Sequence, residues 1–138
     1  MDVVIDSNIL FRILISQGDI LKLISDENLT IFAPSKLKEE FLKHKEEILS
    51  RSKLSEQEFD KLYSFISERI NFIEIEQYKE YLPRAKGLLQ KHEKDEDFIA
   101  LCILKNAKLW TYESRIFDIN YAISTKQLSE KLSKLNIE

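Results

Sequence analysis

Glycine and proline are scarce, with two of each in 138 residues. No window holds the glycines that a phosphate-cradling backbone loop requires, so any phosphate chemistry falls to side chains. The single cysteine, Cys102, has no partner for an intramolecular disulfide, and no Cys/His set is spaced for a structural zinc. That usage fits a reducing compartment. No apolar run nears the roughly 20 residues of a bilayer span. The opening Met1-Asp2-Val3 carries an acid where a secretory signal carries lysine. The expectation is a cytoplasmic protein with no membrane partner. A basic excess is lacking too: 21 Lys and Arg stand against 24 Asp and Glu, a formal charge of −3. This weighs against a broadly basic nucleic-acid coat and leaves a local basic surface open.

What is present is a globular composition, 43% hydrophobic and 33% charged. The length suits one domain over residues 1–138 with a core of its own. Val3-Val4-Ile5 reads as a buried strand ending at Asp6, followed by Ile9, Leu10, Ile13 and Leu14 at helical spacing. A second short helix is expected over Asp19 to Ser25 and a strand over Leu29 to Ala33, with Pro34 opening the next helix. From Ser35 to about Leu49, Leu37, Phe41, Leu42, Ile48 and Leu49 form one apolar face. Ser55 and Glu58 have the spacing of a capping box, ahead of a helix with Phe59, Leu62, Phe65, Ile66 and Ile70.

Alternation over Asn71 to Glu76 predicts a half-buried strand, and Tyr78 to His92 is helical in pattern with a break or restart expected at Pro83. Asp95 to Asn106 reads as a helix with Phe98, Ile99, Cys102 and Ile103 inward. Strands over Lys108–Thr111 and Tyr121–Ser124 precede a last helix from Thr125 to about Leu135. Strands alternating with helices, and no hairpin signal, predict an α/β fold on a mainly parallel sheet.

In such sheets ligands lie beyond the carboxyl ends of the strands. Asp6 follows the first strand, Asp95 begins a helix, Glu113 follows the strand at Leu109–Thr111, and Glu39 or Glu40 supplies a fourth acid. Gathered in one partly dry pocket these carboxylates repel one another unless a cation lies between them. Carboxylate oxygens suit magnesium or manganese, which can polarise a phosphodiester and lower the pKa of an attacking water. The bland readings stand beside this one: Asp6 as a helix cap, Asp95 as a macrodipole partner, and Glu39, Glu40 and Glu113 as solvated acids.

Val3-Val4-Ile5-Asp6-Ser7-Asn8 resembles the Asp-(Ser/Thr)-Asn signature of the PIN domain family of metal-dependent ribonucleases. Ala33 to His44 is similar to its second motif and selects Glu40, with Glu39 as the fallback. Asp95-Glu96-Asp97-Phe98-Ile99-Ala100 resembles the third, selecting Asp95 over Asp97. Leu109-Trp110-Thr111-Tyr112-Glu113 looks like the family's Trp-Thr-x-Asp, with Phe117 where a phenylalanine is usual.

The resemblance spans nearly the whole chain and implies a three-layer α/β/α sandwich with a central, mainly parallel sheet of four to five strands. It implies a magnesium or manganese site, cleavage of single-stranded RNA, a homodimer, and the toxin role of toxin–antitoxin pairs, with an antitoxin protein as partner. Asp6, Glu40, Asp95 and Glu113 would be the catalytic and metal-holding residues, with Ser7, Asn8 and Thr111 hydrogen-bonding behind them. Two departures bear mainly on a second ion. Glu113 stands where Asp is commoner, and Ser114, Arg115 and Ile116 fill the loop where another acid is often found.

Other readings remain alongside. A catalytically degenerate module of the same fold would bind RNA or protein without cutting. A phosphatase that phosphorylates Asp6, of the haloacid-dehalogenase-like kind, wants a second aspartate where Asn8 stands. Arg12 and Arg115 are open to phosphate contact or to surface ion pairs. His44 and His92 read as surface histidines, and Cys102 as core. Trp110 reads as packing, with stacking on a base as the rival.

Overall fold

A computed structural model describes residues 1–91 and 93–137. The expected helix end at His92 therefore lies outside the described residues. In chain order the elements are β1 (Asp2–Ile5), α1 (Ser7–Ser16), α2 (Gly18–Ile24), β2 (Thr30–Pro34), α3 (Lys36–Ser52) and α4 (Glu56–Glu68). Then come β3 (Ile70–Ile73), α5 (Ile75–Tyr78), α6 (Leu82–Leu89), α7 (Glu96–Lys105), β4 (Lys108–Trp110), α8 (Ser114–Asp118), β5 (Ala122–Ile123) and α9 (Thr125–Ile137). Short 3₁₀ turns at Lys79–Tyr81 and Glu93–Asp95 lead into α6 and α7.

The five strands form one parallel sheet in the order β3-β2-β1-β4-β5. β1 lies at its centre, and Val3, Val4 and Ile5 are wholly buried, as a strand covered on both faces requires. One helical layer is built around α7, which touches β1, β2 and β4 and carries α5 and α6 on its back. The other is built from α1, α3 and α4, with α4 reaching β3. The result is the α/β sandwich with a central parallel sheet. No helix among the described residues is long and apolar enough to cross a membrane.

The chain builds β1 to β3 outward on one side, then returns to place β4 on the other side of β1. The order therefore reverses between β1 and β4, and a crevice opens there beyond the strand ends. Asp6 and Glu113 follow those two strands.

Several local expectations are corrected. Pro34 does not open α3; it is the last residue of β2, in register with Ile73, because it needs no ladder donor at a strand end. Leu42 is not on the inner face: it is 68% exposed, and Phe65 of α4 also points outward. The β3 strand stops at Ile73, and Glu74 stands at the N-cap of α5. The break or restart expected at Pro83 is borne out as a restart: Pro83 falls in the first turn of α6, where its missing N–H costs nothing. Phe98, Ile99, Ala100, Leu101 and Cys102 are all buried, whereas Ile103 is half-buried. α7 is sandwiched between the sheet and other helices rather than lying on the surface.

The scarcity of glycine has a structural counterpart. Left-handed backbone falls on Gln17, Lys53, Gln90, Asn106 and Asn120 as well as Gly18. Asn106, which ends α7, and Asn120 tolerate it best of the five, because asparagine enters the left-handed region more readily than Gln or Lys.

Candidate functional site

A cavity of about 380 Å³ lies beyond β1 and β4. Asp6, Glu40, Asp95 and Glu113 all line it, along with Ser7, Asn8, Lys36 and Arg115. Glu39 is exposed on α3 and does not line it. Asp97 is likewise off the cavity: it accepts a hydrogen bond from Tyr78 Oη and pairs with Lys36 at 3.4 Å. The structure thus brings together the four acids picked by motif spacing.

Asp6 is 3% exposed. It occupies the N-cap position of α1, yet its side chain makes no cap bond. Its Oδ2 instead accepts from Thr111 Oγ1 at 2.6 Å, and its Oδ1 from Ser7 Oγ at 3.4 Å. Burial raises the Asp6 pKa above the ordinary carboxylate value; the Thr111 hydrogen bond opposes this, and the charges of Asp95 and Glu113 add to it.

Asp95 (7% exposed) and Glu113 also sit at N-cap positions, of α7 and α8, without side-chain cap bonds. Three acids therefore stand where an acid is favoured by helix geometry and macrodipole, while their oxygens are directed elsewhere. Asp95 Oδ2 accepts from Arg115 Nη2 at 2.7 Å and Nε at 3.1 Å. Arg115 Nη1 is 3.9 Å from Glu113 Oε2. The Asp95 hydrogen bond, ahead of the acidic charges around it, holds the Arg115 pKa above its usual value, so the group stays a cation.

Asn8 and Thr111 connect the ends of β1 and β4. Asn8 Nδ2 donates to Glu113 Oε1 at 3.0 Å, and the Glu113 backbone N–H donates to Thr111 Oγ1 at 3.1 Å. Glu40, half-buried on α3, is 3.9 Å from Lys36 Nζ one turn earlier. Lys36, which none of the sequence motifs singles out, also donates to the Lys94 carbonyl. The signal that could have found it is its i, i+4 relation to Glu40.

His44, read as a surface histidine, lines the cavity edge and packs against Phe11 with ring centroids 5.8 Å apart. Cys102 is fully buried, and burial pushes its thiol well above the ordinary range, which suits core packing. Trp110 is wholly buried and donates Nε1–H to Thr125 Oγ1 at 2.9 Å, so it is closed to a base. Tyr112, two residues after β4, is exposed.

The donor chemistry fits a hard divalent cation: carboxylate oxygens from four segments of the chain, with the Asp6 anion disfavoured first by burial and then by the charges of Asp95 and Glu113. Among the described residues, no three His, Cys, Asp or Glu side chains stand as a ready-made ligand set. Arg115 is bound to Asp95 Oδ2, one of the oxygens on which such a set would draw.

A PIN domain family model matches residues 4–135. No curated protein and no solved structure matches the chain. Matched over nearly its whole length, and with the parallel α/β sheet described above, the chain belongs to the PIN domain family, whose members are generally nucleases that use divalent metal ions.

Proposed function

We propose that the chain is a divalent-metal-dependent endoribonuclease that hydrolyses phosphodiester bonds of single-stranded RNA. The observation that carries this is the convergence of Asp6, Glu40, Asp95 and Glu113 on one cavity, with the Asp6 carboxyl buried beside two other acids. Asp6 and Asp95 are assigned to hold the ion, magnesium or manganese, with Glu40 holding it or orienting the attacking water, and Glu113 serving as an outer ligand. When bound, the ion polarises the phosphodiester and lowers the pKa of the attacking water. Thr111 and Ser7 keep the Asp6 oxygens aimed, and Asn8 does the same for Glu113. RNA is the substrate in this reading, a second copy of the chain its structural partner, and a toxin role, with an antitoxin to restrain it, its biological setting.

Asp6→Asn and Asp95→Asn are each expected to reduce manganese-dependent RNA cleavage by more than about a hundredfold. Intact cleavage in both variants would remove the assignment. A second reading, a module that binds RNA or protein without cutting, is favoured by the Arg115 clamp on Asp95. The two separate by metal-dependent thermal stability. An ion at a hundredfold excess over its dissociation constant adds about 2.7 kcal/mol to a competent site, and a degenerate site shows no shift.

A further inference from the structure

A second cavity, of about 440 Å³, adjoins the acidic one; Asn8 and Phe11 line both. Its chemistry is opposite. Arg12, Arg51 and Tyr112 line it, and among the described residues no carboxylate does. Among the described residues neither Arg12 nor Arg51 makes an ion pair, in contrast to Arg115. The Arg12 guanidinium lies 5.1 Å from the centre of the Tyr112 ring, which is 44% exposed.

Helix α1 explains the pairing of cavities. Ile9, Leu10, Ile13 and Leu14 are its buried stripe. Asn8, Phe11, Arg12 and Ile15 repeat at i, i+3, i+4 and i+7 on a second face, and all four line the basic cavity. Asp6, Ser7 and Asn8, at the start of the helix, line the acidic cavity. Seven residues from Asn8 to Ile15 at about 1.5 Å each give a track of roughly 10 Å leading away from the carboxylates.

Guanidinium groups without an ion-pair partner bind phosphate oxygens, and an exposed aromatic ring stacks on any base. We propose that this second cavity is a nucleotide subsite. It holds the nucleotide next to the scissile phosphate of a single-stranded RNA, with its phosphate on Arg12 and Arg51 and its base on Tyr112. The proposal rests on the nuclease reading for its substrate, but its residues are separate from the four acids.

The test measures binding of fluorescent hexauridylate, and of an abasic chain of the same length, to the wild-type protein in chelator, where no cleavage is expected. Arg12→Ala and Arg51→Ala are each expected to weaken both chains by about fivefold and to reduce the slope of log affinity against log salt by about 0.7. Tyr112→Ala is expected to lose the preference for hexauridylate over the abasic chain, about tenfold, while Tyr112→Phe keeps it. All these positions are exposed, so the fold is spared. Affinities of the three truncating variants all within about twofold of wild type overturn the subsite, and so does a wild-type protein that does not bind hexauridylate. The two ideas fail differently. Metal-dependent cleavage with binding indifferent to these residues removes the subsite alone. Binding through these residues by a protein that never cleaves removes the nuclease reading alone.

Discussion

Asp6 works against the fold that holds it. Its folded pKa lies above the ordinary value of 3.8, with burial the largest cause and the neighbouring acids adding to it. The folded state therefore takes up a proton more readily than the unfolded one. The stability linked to Asp6 is fully present below 3.8 and is lost as pH rises through the raised folded pKa. In metal-free buffer, Asp6→Asn should melt above wild type at pH 7, with the difference shrinking towards zero as the pH falls below 3.8. Melting curves of both proteins across that range check it; a gap that stays constant with pH would assign the effect to packing instead of charge. Arg115 is the opposite case, a fixed cation on Asp95 that any divalent ion must compete with. Arg115→Ala should therefore tighten manganese binding by about tenfold in a thermal-shift titration, since a partly exposed ion pair contributes only modestly. Weaker binding in that variant would mean that Arg115 orients Asp95 for the metal.

Three of the helices that shape the cavity begin differently from two that only support it. α4 opens with a reciprocal capping box, Ser55 Oγ accepting from the Glu58 N–H and the Glu58 carboxylate accepting from the Ser55 N–H, both at 3.1 Å. These bonds hold the Glu58 carboxyl below its usual range. α9 opens the same way, with Ser124 and Gln127 exchanging bonds at 3.0 and 2.9 Å. Ser55→Ala and Ser124→Ala should each cost about 1 kcal/mol in denaturant unfolding while leaving metal binding alone. α1, α7 and α8, by contrast, have acids at the cap with no cap bond. The Ser55 box was legible from spacing alone. The Ser124 box, with Gln in place of Glu, was passed over because Ser124 also reads as the end of β5. Leu42 and Phe65 were misplaced for a related reason: on long charged helices the apolar stripe is narrow, and one residue at its margin decides between core and solvent. Glu40 over Glu39 was open to the same ambiguity until packing set the rotation of α3.

For the whole molecule, alternating strands and helices announced a parallel sheet, but strand order is a property of crossovers that no local pattern records. The reversal between β1 and β4 is what places Asp6 beside Thr111 and Glu113, and motif order supplied the grouping without the geometry. Arg115 was open to either a phosphate or an ion pair when read in sequence, because its partner Asp95 is 20 residues away. The basic cavity escaped notice altogether, since Arg12, Arg51 and Tyr112 come from three distant segments and the overall charge is negative.

The bond from Thr111 to Asp6 spans 105 residues, as does that from Asn8 to Glu113. During synthesis at 5–20 residues per second, the Asp6 carboxylate waits roughly 5 to 20 s for the partners that aim it. β1 cannot take its central place until β4 has emerged from the ribosome, so the acids meet late. A nascent chain thus lacks the four-acid pocket until most of its length has been made.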